Sequence, residues 1–160
     1  INQLITGGAQ ERKQRGGTEN IYGIVGLGKA MELAYNDIEE HQNHVQQLKS
    51  YMINELVKID SAITFNGDVL PQNSLYTVLN VCFPVTQQSS MMLFSLDISG
   101  IAASGGSACS SGAIAGSHVL AALPNSANCQ SVRFSFSRYT TKNEIDFTLK
   151  KVKELTTVSV

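Results

Sequence analysis

Cys109 is the residue in this sequence whose surroundings most suggest chemistry. It sits within Ser104–Ser117, fourteen residues that hold four glycines, five serines and three alanines. Only Ile114 offers a side chain able to anchor such a segment in a core. A cysteine that merely packs has apolar neighbours on a strand or helix, as Cys82 does in Val78–Phe83. The reactive form of the group is the thiolate, and serine hydroxyls and backbone N–H groups are donors that stabilise it. A loosely held loop of the five residues from Ser104 would carry the thiol over roughly 17 Å. That reach suits a cysteine that collects something in one place and delivers it in another. An ordinary surface loop that happens to contain cysteine accounts for the same composition, and composition does not separate the two. A Walker-type phosphate loop is excluded, because no lysine follows the glycines in the required pattern.

Few other groups compete with it. His118 lies nine residues beyond Cys109, which allows a Cys–His pair, but Ser117 as the cap of a short helix explains His118 as a first-turn residue. His41 and His44 read as solvated helix residues. Three cysteines at wide spacing contain no Cys-x-x-Cys pair, so no structural zinc site is expected. Without a secretory signal, the expected setting is a reducing cytoplasm with free thiols. Arg133 lies in Ser131–Ser137, where Val132, Phe134 and Phe136 alternate with Ser131, Arg133, Ser135 and Ser137. On that pattern alone it is a solvent-facing arginine on an edge strand.

The elements that must position these residues follow from periodicity. Residues 1–18 are glycine-rich, polar and aperiodic. From Glu19 to Ile59, apolar residues recur every three or four positions, with a polar interruption at Glu39–His44. One straight rod of that length would span roughly 60 Å, against about 40 Å for a compact domain of this size. A break near residues 36–42 is therefore expected, or a first half that packs on something outside the chain. Gly23, Gly26 and Gly28 fall inside the helical pattern, so close helix packing explains them better than a nucleotide loop. Asn66-Gly67-Asp68 marks a turn, Val78–Phe83 a buried strand stopped by Pro84, Ser90–Leu96 a short helix and Ile98–Ala103 a short strand or strand end. Thr141 and Glu144 form a capping box ahead of a final amphipathic helix. The expected fold class is α/β, with an α+β-like small domain: a long N-terminal helix or helix pair, then a small sheet flanked by helices.

Composition limits the rest. Twelve basic residues nearly balance thirteen acidic ones in the 160-residue chain, so no nucleic-acid footprint or polybasic membrane patch is expected. Hydrophobic residues make up 42% and charged residues 16%, as in ordinary globular proteins. No apolar run reaches the length of a membrane span. The chain begins at Ile1, which fits a fragment that starts inside a longer protein.

Three motifs then point the same way. Gly7-Gly8-Ala9-Gln10-Glu11-Arg12 followed by Arg15-Gly16-Gly17-Thr18-Glu19-Asn20 resembles a glycine-rich stretch of cysteine desulfurases, which are pyridoxal-phosphate enzymes of the class V aminotransferase superfamily. Ser104–Gly112 resembles their active-site cysteine loop, in the branch where that loop is long. Val132–Arg138, with Thr140-Thr141 and Glu144-Ile145-Asp146, is similar to the segment near their C-terminus. Ala9 departs from the family, which more often has a third glycine there.

The resemblance implies that residues 1–20 are a loop remnant of a missing cofactor domain, and residues 21–160 the C-terminal small domain of a fold-type-I enzyme. It implies conversion of L-cysteine to L-alanine, with sulfur taken by Cys109 as a persulfide and passed to an acceptor protein such as an iron–sulfur scaffold. Arg133 would bind the substrate carboxylate, and Thr18 the pyridoxal phosphate in a homodimer partner's site. Thr18 as the cap of the following helix fits its position equally well. None of the eight lysines sits in the family's serine-x-histidine-lysine context, so the chain by itself is expected to be inactive and to bind no cofactor covalently. Two other readings stand beside this one: a self-sufficient sulfur-carrier module, and a fragment of a selenocysteine lyase-type enzyme.

Overall fold

The computed structural model describes residues 2–86, 89–105, 117–123 and 129–156. The chain clusters into two compact units, Ile1–Glu39 and Glu40–Val160.

In the first unit a glycine-rich loop leads through the four-residue turn α1 (Gln10–Lys13) to the start of α2 (Ile21–Ile59). Glu11, Arg12 and Lys13 have φ of 47°, 55° and 65°. Three successive side-chain-bearing residues in the left-handed region cost roughly 1–2 kcal/mol each. α2 is continuous, contrary to the expected break. The physical reason is in the sequence: from Lys29 to Ile59 there is neither glycine nor proline, and a polar stretch alone does not interrupt a helix. Its first half bears apolar side chains that remain in solvent, including Ile24 at 60% and Val25 at 66% exposure. A Cβ on Gly26 or Gly28 would meet nothing within 4 Å, so the close packing expected there is not made among the described residues.

The second unit holds the core. Its sheet has three antiparallel strands in the order β1 (Thr64–Phe65), β2 (Val78–Pro84) and β3 (Cys129–Ser135). Alternation puts Leu79, Val81 and Phe83 of β2 on one face with Val132 and Phe134 of β3. That face is buried with Val45, Leu48, Met52 and Leu56 of α2, Met92 and Leu96 of α3 (Met92–Ile98), and Ile145, Leu149 and Val152 of α5 (Lys142–Thr156). The expected strand at Ile98–Ala103 is instead the end of α3 and an extended segment that reaches the sheet only at Ser104. Gly67 turns the chain after β1 with φ of 87°. The Thr141 capping box is formed: Thr141 N–H donates to Glu144 Oε2 at 2.7 Å, and Glu144 N–H to Thr141 Oγ1 at 3.3 Å.

Lys49, His44 and His41 tie α2 to distant parts of this unit. Lys49 is 1% exposed, and its ammonium donates to Ser74 Oγ and the Leu75 carbonyl, both at 2.9 Å. Desolvation holds its pKa below the usual lysine range, against the opposing pull of Asp68. His44 Nε2 lies 2.9 Å from the Thr140 carbonyl, and the His41 ring stands edge-on to Tyr76 with centroids 5.6 Å apart. Both histidines therefore have tertiary partners; His41 is half-buried, whereas His44 is exposed as the sequence suggested.

Candidate functional site

Arg133 is built into the second unit from two sides. On one, the register of β2 and β3 sets Asn80 directly opposite it. On the other, where β3 would be a bare edge, Ser104 forms an isolated antiparallel bridge. Ser104 N–H donates to the Arg133 carbonyl at 3.1 Å, and Arg133 N–H to the Ser104 carbonyl at 2.6 Å. The guanidinium Nη2 also donates to Ser104 Oγ at 3.4 Å. Arg133 is consequently half-buried, not the exposed edge arginine that alternation alone implies.

The face it occupies is the one turned away from the core, and it is polar. Asn66, just past β1, donates through Nδ2 to Asn80 Oδ1 and to Ser131 Oγ, each at 2.9 Å. A guanidinium with spare N–H donors, on a half-buried face of amides and hydroxyls, is suited to a planar carboxylate. Sequence reasoning found Arg133 but missed Ser104, Asn66 and Asn80 around it. The sequence marks Ser104 only as the start of the cysteine loop, and Asn66 only as a turn signal.

The cysteines divide. Cys109 and its neighbours 106–116 lie outside the described residues. Cys82 and Cys129 bring their sulfur atoms together, with their Cα atoms 5.2 Å apart. They are 47 residues apart in sequence, and only the β2–β3 register, with Cys82 opposite Ser131 and Pro84 opposite Cys129, brings them together. His118 begins α4 (His118–Ala121), and Ser117 Oγ accepts from Leu120 N–H at 3.4 Å, the expected cap.

Thr18 belongs to the first unit and is exposed there. Its loop is tightly built. Gly16 N–H donates to the Ile5 carbonyl at 2.9 Å, and a Cβ on Gly16 would sit 2.5 Å from the Gly7 nitrogen, so no side chain fits. Arg15 Nη1 donates to the carbonyls of Gly17 and Thr18, both at 3.0 Å. The α2 cap is Asn20, whose Oδ1 accepts from Gly23 N–H at 3.0 Å. Thr18 is therefore not the helix cap, and its hydroxyl makes no hydrogen bond among the described residues. A hydroxyl beside an arginine, just ahead of a helix N-terminus with no acidic residue in its first turn, fits a phosphate group.

A groove of about 550 Å³ is lined by Met52, Ile101, Phe134, Phe136, Tyr139 and Glu144 among others, and includes neither Thr18 nor Arg133. Among the described residues no cluster of three or more His, Cys, Asp or Glu could hold a metal ion, and no helix is long and apolar enough to cross a membrane.

Comparison with known proteins agrees with these features. The aminotransferase class-V family model matches residues 2–147. The chain is 38% identical to a cysteine desulfurase IscS of Dictyoglomus turgidum, over 99% of this chain and 41% of that protein. It is 43% identical to a cysteine desulfurase IscS of Methanosarcina thermophila, over 97% and 38%. A solved NifS-like protein superposes with a TM-score of 0.74 at 32% identity, covering 97% of this chain and 39% of that one. The chain thus spans about 40% of the length of the relatives it matches. A mixed α/β fold, an extended match to the family model and this set of relatives agree: the chain belongs to the class-V aminotransferase family.

Proposed function

We propose that this chain is the C-terminal part of a pyridoxal-phosphate-dependent cysteine desulfurase. In this reading L-cysteine is converted to L-alanine, and its sulfur passes to Cys109 as a persulfide for delivery to an acceptor protein such as an iron–sulfur scaffold. The observation that carries the reading is Arg133, half-buried on a polar face with guanidinium donors available, in a chain 38–43% identical to proteins named cysteine desulfurase.

Each residue then has a task. Arg133 takes the substrate carboxylate in a two-pronged hydrogen-bonded pair and fixes the amino acid's orientation. Thr18 donates its hydroxyl to the cofactor phosphate, in the site of a homodimer partner, where the α2 N-terminus adds favourable dipole charge. Pyridoxal phosphate, when bound, supplies an electron sink for the substrate carbon skeleton. Cys109 acts as thiolate on the substrate sulfur. A bond forms between the two sulfurs while the bond from sulfur to Cβ breaks, its electron pair staying with the carbon fragment. Proton uptake by that fragment completes alanine.

The test is Cys109→Ser in the intact enzyme carrying this chain, assayed with L-cysteine for alanine and for sulfide in the presence of a thiol reductant. Loss of both products is expected. Turnover equal to the parent's would remove Cys109 from the reaction.

A further inference from the structure

Arg133 is held at both its main chain and its side chain by one residue. Ser104 supplies the two backbone bridge bonds, at 3.1 and 2.6 Å, and its hydroxyl accepts from guanidinium Nη2 at 3.4 Å. Directly paired residues on antiparallel strands project to the same face, so the hydroxyl and the guanidinium are brought together by the pairing itself. On the opposite flank Asn80, fixed by its hydrogen bond from Asn66, fills the cross-strand position. Ser104 comes from the segment that follows α3 and Ile101, not from the three-stranded ladder.

A free arginine side chain has four rotatable bonds and loses much conformational entropy when it engages a carboxylate. A hydroxyl that occupies one N–H restricts that freedom beforehand and leaves the other N–H groups for a ligand. The expected consequence is tighter substrate binding with no change in the chemical step.

We infer that Ser104 is a positioning residue, whose hydroxyl orients the Arg133 guanidinium toward the carboxylate of the amino-acid substrate. The inference rests on the reading of Arg133 as carboxylate partner, so the experiment separates the two. In the intact enzyme, Ser104→Ala, Ser104→Thr, Arg133→Ala and the Ser104→Ala/Arg133→Ala double variant are assayed with L-cysteine. The backbone bridge needs no side chain, and thermal melting of each variant checks that the fold is retained.

Ser104→Ala is expected to raise KM about three- to tenfold with kcat within about twofold of the parent. Ser104→Thr, which keeps the hydroxyl, restores KM. In the Arg133→Ala background, removal of the Ser104 hydroxyl has no further effect. An unchanged KM in Ser104→Ala, a KM equally raised in Ser104→Thr, or full additivity in the double variant overturns the assignment. If Arg133→Ala itself leaves KM unaltered, the carboxylate reading fails, and the assignment with it. If Arg133→Ala raises KM and Ser104→Ala does not, only the positioning role falls.

Discussion

Lys49 and Arg133 show two ways of managing a cation away from bulk water. Arg133 is half-buried and keeps donors available to a ligand, whereas the Lys49 ammonium is enclosed and spends its hydrogen bonds on Ser74 and the Leu75 carbonyl. Lys49→Met would fill much of the same volume but leave the Leu75 carbonyl without this donor, a loss of about 1–3 kcal/mol. Denaturant unfolding at neutral pH measures it, and a variant as stable as the parent would show the bond contributes nothing. The same cation sets a pH signature. Its folded-state pKa lies below its unfolded one, so between the two values the unfolded chain binds the extra proton. Parental stability should therefore rise with pH on approach to the ordinary lysine range, and this rise should be absent in Lys49→Met.

Among the elements, β2 and β3 decide most of what the second unit can do. The alternation of β3 was legible, with Val132, Phe134 and Phe136 buried as the pattern required, and β2 was legible as a strand ending at its proline, though not its alternation. The capping box at Thr141 and the cap at Ser117 were legible for the same reason, because both are local hydrogen-bond patterns. Cross-strand register is not local. Nothing in the sequence near Cys82 or Cys129 announces their pairing, nor does anything near Ser104 announce its bridge to Arg133, 29 residues on. A disulfide between Cys82 and Cys129 would close a long loop, and its reduction would cost about 2–4 kcal/mol. A lower melting temperature in the presence of a dithiol, absent in a Cys82→Ser/Cys129→Ser variant, checks this. Equal melting with and without reductant would show that the two sulfurs are not bonded in solution.

At the scale of the whole molecule, the exposed apolar side chains along the first half of α2 belong with the finding that the chain spans about 40% of its relatives' length. The long periodic stretch was legible as helix, and of the two outcomes expected of it, a break or a first half that packs outside the chain, the continuous helix removes the first. The same partial span bears on the cofactor. The chain by itself, mixed with pyridoxal phosphate and reduced with borohydride, is expected to carry no stoichiometric adduct on any of its eight lysines. A single lysine labelled in full, located by peptide mass mapping, would overturn that expectation.

The entry to α2 separates two duties that one residue often performs together. Asn20 closes the helix, while the Thr18 hydroxyl two positions earlier takes no part in doing so. The two positions can therefore change independently: a substitution at Thr18 keeps the helix cap, and one at Asn20 frays the helix without removing that hydroxyl. If Thr18 holds a phosphate as proposed, the grip on that group is adjustable with little penalty to the scaffold behind it.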